Sequence, residues 1–266
     1  MRREPLARPR CRTPWPVLMA AVAVLALATG CAMRRPPNLP APLAPPDTAA
    51  VLAQARAINR ELRSFKGIGR LEIETPRQRQ SGRAAWAGSL AASKFRLDFI
   101  GAGLPLASVA GDGQRIYLRH AAGGGVQSRP ASNPRLDDLL GLPVTAADLL
   151  QAMAGRLPEQ TDERVSVHPG ASPDRWHLVF YDRFGTARVQ AVIEAPGRLC
   201  RLAFFRPDGG LHYRIEYGAY RPTGAYWLPG RLEVRDAQGV CRIEVERWWA
   251  DPDLPESLFI LEAASR

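Results

Sequence analysis

Lys94-Phe95-Arg96-Leu97-Asp98-Phe99 alternates charge with hydrocarbon at every step, and that period of two decides the fold. Such a segment is a strand with one wet face and one apolar face. The same pattern recurs on both sides of it. Leu71 and Ile73 oppose Arg70, Glu72 and Glu74, and Ala84, Trp86 and Leu90, then Ile116 and Leu118, continue the series. Further on come Trp176, Leu178 and Phe180, and then Ala187, Val189, Ala191 and Ile193. Tyr213, Ile215 and Tyr217, Leu232 and Val234, and Ile243 and Val245 complete it against Arg214, Glu216, Arg231, Glu233, Arg235, Arg242, Glu244 and Glu246. A parallel sheet covered on both faces would read continuously apolar, so this is an antiparallel sheet with a solvated outer face.

Helical spacing interrupts the strands at three places. Asp47 or Thr48 caps a helix expected to run to about Ser64, with Val51, Leu52, Ala55, Ile58 and Leu62 on one face. Pro134 to Leu142 suits a short second helix. Thr145, with Asp148 three residues later, starts a third that carries Leu149, Leu150 and Met153 and ends at Gly155. The expected order is one helix, about five strands, two helices and about six strands, which is a mainly β, α+β chain of about eleven strands. A sheet with one apolar face must curl, and amphipathic helices are the material to lid it. The alternation admits two interiors: an enclosed apolar cavity, or one filled by its own side chains.

The chain has 266 residues and a formal charge of +10. Arg2, Arg3, Arg8, Arg10 and Arg12 precede an apolar run from Val17 to Ala28, which is too short to span a bilayer and reads as a signal peptide. It closes on Leu27-Ala28-Thr29-Gly30-Cys31, a lipoprotein processing site that makes Cys31 the acylated first residue of the mature chain. Losing residues 1–30 removes five arginines and Glu4 and lowers the charge to +6. An exported chain with scattered arginines meets anionic headgroups rather than nucleic acid. Pro36, Pro37, Pro40, Pro42, Pro45 and Pro46 make residues 31–46 an extended tether. The β-domain is expected at 47–251 and a C-terminal tail at 252–266. Cys200 and Cys241 fall on strands three steps apart, roughly 14 Å at about 4.8 Å per step, too far for a disulfide. Both are expected as free thiols beside apolar neighbours.

Catalytic signatures are missing from the sequence: it holds no H-E-x-x-H, G-x-S-x-G, C-x-x-C, phosphate loop or dinucleotide fingerprint. His120, His168, His177 and His212 are isolated, and Asp137 and Asp138 suit a first helical turn. The expectation is a non-enzymatic chain without metal or cofactor.

Several stretches, in order, resemble one family. Phe65-Lys66-Gly67-Ile68-Gly69-Arg70-Leu71, Ser81-Gly82-Arg83-Ala84-Ala85-Trp86 and Lys94 to Phe99 are similar to the opening strands of the LolB outer-membrane lipoprotein receptors. Gly111-Asp112-Gly113, Leu142-Pro143-Val144 and Gly155-Arg156-Leu157-Pro158 fall where that family has a Gly-rich turn, a Leu-Pro helix start and a Gly-containing helix exit. Tyr217-Gly218-Ala219-Tyr220 and Trp227-Leu228-Pro229-Gly230-Arg231-Leu232 resemble a region shared by LolA- and LolB-like carriers. The resemblance implies a curved half-barrel with a helical lid and a cavity for acyl chains. Its candidate lining is Trp86, Phe95, Leu97, Phe99, Ile116, Leu118, Trp176, Phe180, Ile215 and Tyr217. It also implies that the loop Ile100 to Leu106 touches the membrane through Leu104, with Leu106 second. The partners implied are acylated lipoproteins or lipids and a periplasmic carrier that hands them over, with the protein a monomer anchored in the outer membrane and facing the periplasm. Exposing one acyl chain of ~14 methylenes would cost roughly 11 kcal/mol, at about 0.8 kcal/mol each, so a carrier must shield it throughout transfer. The other function open at this stage is a structural or assembly lipoprotein whose β-domain is filled.

Overall fold

The computed structural model describes residues 47–76, 78–101, 104–120, 125–137, 141, 143–158 and 164–262. The expected signal peptide, Cys31 and the expected tether lie outside the described residues. Two α-helices, α1 (Thr48–Ala57) and α2 (Ala146–Met153), accompany fifteen strands among the described residues. Before α2 come β1 (Ser64–Thr75), β2 (Gln78–Ser89), β3 (Lys94–Gly101), β4 (Leu104–Gly111), β5 (Arg115–His120) and β6 (Val126–Pro130). After it come β7 (Arg164–Pro169), β8 (Arg175–Tyr181), β9 (Ala187–Glu194), β10 (Arg198–Phe205) and β11 (Leu211–Gly218). The chain then forms β12 (Arg221–Thr223), β13 (Tyr226–Leu228), β14 (Arg231–Arg235) and β15 (Val240–Ala250).

Thirteen strands make one antiparallel sheet in the order β6-β5-β4-β3-β2-β1-β15-β14-β11-β10-β9-β8-β7, while β12 and β13 pair separately. The sheet is open, with β6 and β7 at its two edges. Two meanders, one from each half of the chain, therefore meet along the β1–β15 seam. The count exceeds the eleven or so strands expected from sequence, because β4 (Leu-Pro-Leu-Ala-Ser-Val-Ala-Gly) is built largely of small residues and β6 (Val-Gln-Ser-Arg-Pro) has no apolar face to betray it.

The alternation itself is realised. Leu71, Ile73, Ala84, Trp86, Phe95, Leu178, Phe180, Val189, Ala191, Ile193, Tyr213, Ile215, Leu232, Val234, Ile243 and Val245 are all buried in one core. The seam also carries an irregularity that alternation does not anticipate. Gly69 pairs with Val245 but Ile68 pairs with Arg247, so one residue of β15 is bulged out. The bulge shifts the parity of β15 and turns Trp248 inward, where its ring meets Phe65 and Trp86 edge-on, both at 5.5 Å between centroids. Trp248 Nε1 donates to the Pro229 carbonyl at 2.8 Å. Gly69 permits this register, because a Cβ there would sit 2.1 Å from the Glu244 carbonyl oxygen. Gly69→Ala is expected to destabilise the domain by about 3 kcal/mol, at the upper end for overpacking. Urea unfolding checks it, and a loss under about 1 kcal/mol would mean that the seam re-registers freely.

The helices differ from expectation at their ends. Asp47 caps α1, accepting from Ala49 N at 3.0 Å, but the helix stops at Ala57 rather than near Ser64. Ile58 is extended and Asn59 is left-handed at φ +52°, because Asn59 is drawn into bonds described below. In α2 the expected Thr145 cap forms: Asp148 N donates to Thr145 Oγ1 at 3.1 Å, and that hydroxyl, rather than the backbone N–H of a capping box, donates to Asp148 Oδ2 at 2.7 Å. Gly155, at φ +66°, makes the exit. Of the helix expected at Pro134 to Leu142, Asp138, Leu139, Leu140 and Leu142 lie outside the described residues. Arg135 and Leu136 ahead of them are not helical: Arg135 bridges to Thr145, and Leu136 N donates to the Val144 carbonyl at 2.9 Å.

Beyond β15 the chain stays on the sheet. A 3₁₀ turn, Glu256–Phe259, crosses the outer face at β3, where Lys94 pairs with Glu256 and Arg96 donates to the Leu258 carbonyl. Phe259 and Leu261 are buried.

Candidate functional site

Helix α2 lies across the inner face of the first meander. Ala146, Leu149, Leu150 and Met153 descend onto Phe65, Leu71, Trp86, Phe95, Leu97 and Ile243, leaving a void of only about 20 Å³. The fit is close enough that a Cβ on Gly88 would come within 2.6 Å of both Leu150 and Phe65. Beneath the helix, then, the interior is filled.

A larger space opens at the β6 edge. There Val109, Ile116, Leu118 and Leu136 form apolar walls, and Gln127, Ser128, Arg129 and Arg135 also line a pocket of about 210 Å³. Of the residues expected to line a cavity, Trp86, Phe95 and Leu97 face the small void and Ile116 and Leu118 face the pocket. Phe99 is half-buried on β3, its ring against Gly82. Phe180 and Ile215 are packed in the core, and Trp176 and Tyr217 pack against it. None of these last four lines either space.

Three polar devices hold α2 in place. Tyr213 donates to Asp148 Oδ2 at 2.8 Å, tying the start of the helix to β11. Asn59 donates through Nδ2 to the Ala154 and Trp227 carbonyls, both at 2.7 Å, and accepts from Trp227 N at 3.0 Å. Arg156 donates to the Asn59 and Arg60 carbonyls, at 2.8 and 2.7 Å, and to that of Leu62. The Trp227 motif is thereby a docking point for the turn after α1, a use that no local sequence pattern discloses.

Some buried donors have no partner. Trp86 Nε1 and the Tyr217 hydroxyl make no hydrogen bond to protein. Burial pushes the Tyr217 and Tyr220 phenols well above their ordinary range, and does the same to Tyr213, with the Asp148 carboxylate adding to the effect there. All three are neutral donors at any ordinary pH. Orphaned buried donors of this kind cost free energy unless a ligand or water takes their hydrogens.

Cys200 and Cys241 are free, as expected. Cys241 is buried among apolar groups, which pushes its thiol up to about 12. Cys200 is not on the inner face as the alternation suggests. A bulge between Leu199 and Arg201 takes it out of phase and leaves it half-buried, with its sulfur 3.7 Å from Glu194. His168 and His177 face each other across β7 and β8, whereas His120 and His212 belong to distant strands. Among the described residues no three His, Cys, Asp or Glu side chains gather as a metal site would require.

The turn Gly101 to Leu104 joins β3 to β4, and Leu106 is 47% exposed. The side chain of Leu104 and the residues Ala102 and Gly103 lie outside the described residues. Because every neighbour in the sheet is antiparallel, this turn shares one rim with the β8–β9 and β10–β11 turns. Those carry Phe184, 78% exposed, and Leu211, 45% exposed.

An open antiparallel sheet of this topology with a helix across its inner face has known counterparts. A LolA superfamily protein from Nitrosomonas europaea superimposes with a TM-score of 0.55 at 16% identity, covering 80% of this chain and 97% of that one. This chain shares its fold with that protein. A domain from Vibrio parahaemolyticus assigned to outer membrane lipoprotein sorting matches at TM-score 0.58 and 10% identity, over 79% of this chain and 92% of its own. A DUF1329 family protein from Desulfovibrio piger matches at 0.60 and 8%, over 80% and 95%. No family model and no curated protein matches the chain. The LolA-type fold thus rests on the arrangement of strands, at identities where sequence carries nothing about ligand.

Proposed function

We propose that this protein is a non-enzymatic outer-membrane lipoprotein that takes up acyl chains of lipoproteins or lipids on its concave face and assists their delivery into the outer membrane. The observation that carries this reading is the pocket between β4–β6 and Leu136, with walls of Val109, Ile116, Leu118 and Leu136 at an open sheet edge. Its 210 Å³ accommodates part of one chain, so accepting more requires α2 to lift from Phe65, Trp86 and Phe95. The orphaned Trp86 donor at the small void under α2 supports it, since ester and amide carbonyls at the head of an acyl chain are acceptors. The exposed apolar residues on one rim suit contact with a membrane during release. In this reading Leu104 and Leu106 lead that contact, Cys31 carries the lipid anchor, and a periplasmic carrier delivers the cargo to a monomer.

A second reading, a structural or assembly lipoprotein with a filled β-domain, draws on the tight packing under α2. Mass spectrometry of molecules that co-purify with the protein separates the two. Acylated molecules bound at near-stoichiometric yield are expected, and their absence from protein extracted under several mild conditions would favour the filled domain. Leu104→Glu combined with Leu106→Glu is expected to keep bound acyl ligand while cutting lipoprotein insertion into outer-membrane vesicles at least tenfold. Undiminished insertion would remove the loop from the mechanism.

A further inference from the structure

Two hairpins on the rim share a backbone plan but not a tip. In the β8–β9 turn Asp182 N donates to the Thr186 carbonyl and Gly185 N to the Asp182 carbonyl, both at 2.9 Å, with Gly185 at φ +81°. The β10–β11 turn repeats it: Arg206 N donates to the Gly210 carbonyl at 2.8 Å, Gly209 N to the Arg206 carbonyl at 2.9 Å, and Gly209 is also at φ +81°. Position for position, Arg183-Phe184 stands where the second turn has Pro207-Asp208, residue types that turns favour. The backbone therefore asks for no aromatic ring at 184. Yet Phe184 is the most exposed large hydrophobic side chain among the described residues.

The charges around this tip are sorted. The Asp182 carboxylate is directed at its own backbone, accepting from Phe184 N at 2.9 Å and Thr186 N at 3.0 Å. The two guanidinium groups lie on rings instead of carboxylates: Arg183 over Phe184 at 4.7 Å, and Arg164, at the start of the neighbouring β7, over Tyr181 at 4.5 Å. Arg164 also extends beneath the turn, 3.7 Å from where a Cβ on Gly185 would stand. A guanidinium stacked on a ring keeps its in-plane N–H donors for another acceptor. A lone exposed apolar residue is ordinary on a protein surface. A ring held at the apex of a hydrogen-bonded turn between two such guanidiniums is matched to a lipid surface, where aromatic rings sit at the headgroup level and arginines meet anionic lipids. The tip is too narrow for a protein partner, which needs about 800 Å² on each side.

We propose that the β8–β9 hairpin is a membrane contact that seats Phe184 at the headgroup boundary of a phospholipid bilayer and selects anionic lipid through Arg183 and Arg164. This rests on the membrane-delivery reading above, in which Leu104 and Leu106 lead, and adds to it a second contact and a lipid preference. The β3–β4 and β8–β9 turns belong to different halves of the sheet. Engaged together, they set the rim, rather than one edge, against the bilayer.

The test uses the full chain in nanodiscs of phosphatidylcholine, with or without phosphatidylglycerol. Photoreactive p-benzoyl-phenylalanine replaces Phe184, Leu106 or Gln238 in turn, Gln238 being an exposed residue of the β14–β15 turn on the same rim. Lipid adducts are counted by peptide mass spectrometry. At position 184 they are expected to be about tenfold more abundant with phosphatidylglycerol than without, as two arginines near an anionic surface require. Few are expected at 238. Arg183→Gln with Arg164→Gln is expected to bring the yield at 184 down to the phosphatidylcholine level, and Arg183→Lys with Arg164→Lys to keep most of it. Equal yields at 184 in the two lipids would overturn the charge selection, and equal yields at 184 and 238 would overturn the assignment to this hairpin. Adducts at 106 without adducts at 184 would do the same and leave the Leu104–Leu106 contact standing. No adducts at any of the three positions would remove rim contact from the delivery reading as well, while co-purifying acyl ligand reports on uptake separately.

Discussion

Asn59→Ala is expected to lower the stability of the domain by about 3–5 kcal/mol, more than any other single side-chain truncation considered. The side chain makes three hydrogen bonds with buried or half-buried backbone groups, donating to the Ala154 and Trp227 carbonyls and accepting from Trp227 N. Truncation orphans all three, at about 1–3 kcal/mol for each group that water cannot reach. Alanine must also hold a φ of +52°, which costs an L-residue without a local hydrogen bond roughly 1–2 kcal/mol. Asn59→Gly removes the strain but not the orphaned groups, and is expected to recover about 1 kcal/mol of the loss. Urea melts of the three proteins check the order native, glycine, alanine. A loss below about 1 kcal/mol for alanine would show that water replaces the amide.

The same substitution bears on function through α2. Asn59 and Arg156 pin the exit of that helix, and Asp148 and Tyr213 pin its start. If acyl chains enter by lifting α2, weakening the exit shifts the equilibrium toward the lifted state by whatever fraction of the loss falls on the closed form. Greater binding of a hydrophobic dye by folded Asn59→Gly than by the native protein is the corresponding signature.

Much of this architecture was legible because burial imposes period two on a strand. Leu71, Trp86, Phe95, Phe180, Ile215 and Val245 declared their face without help from distant residues. The Thr145–Asp148 cap was equally local. What stayed hidden depends on partners far along the chain. The bulge that turns Trp248 inward exists because Gly69, far away in sequence, lets the Glu244 carbonyl approach. The end of α1 is set by Trp227 and Ala154 rather than by any breaker near Ala57. The cavity residues could be assigned to a face but not to a common space, since volume is a property of how α2 seats and not of any strand. Thus Trp86 and Phe95 meet α2, Ile116 and Leu118 meet the edge pocket, and Tyr217 meets neither.

Replacing Cys31 by serine is expected to move the protein from the membrane to the soluble periplasmic fraction, the largest effect of any single change on its behaviour. Leu27-Ala28-Thr29-Gly30-Cys31 supplies the small residues and the thiol that lipoprotein processing needs. A serine hydroxyl cannot carry the thioether-linked diacylglyceryl group. In the proposed reading, at about 0.8 kcal/mol per buried methylene, the two chains so lost outweigh any contact made by the exposed Leu106, Phe184 and Leu211; among the described residues no helix is long and apolar enough to cross a membrane. Because serine also blocks lipoprotein-type cleavage, the clean comparison places Cys31 and Cys31→Ser chains behind leaders suited to each, the latter cut by the ordinary signal peptidase. Alkyne-palmitate labelling and membrane fractionation read the outcome. Retention of both label and membrane association by the serine chain would remove Cys31 as the anchor. Loss of both, with folding intact, would mean that the rim hairpins touch the bilayer only transiently, as release of a cargo requires, while the anchor alone keeps the carrier where its cargo is bound.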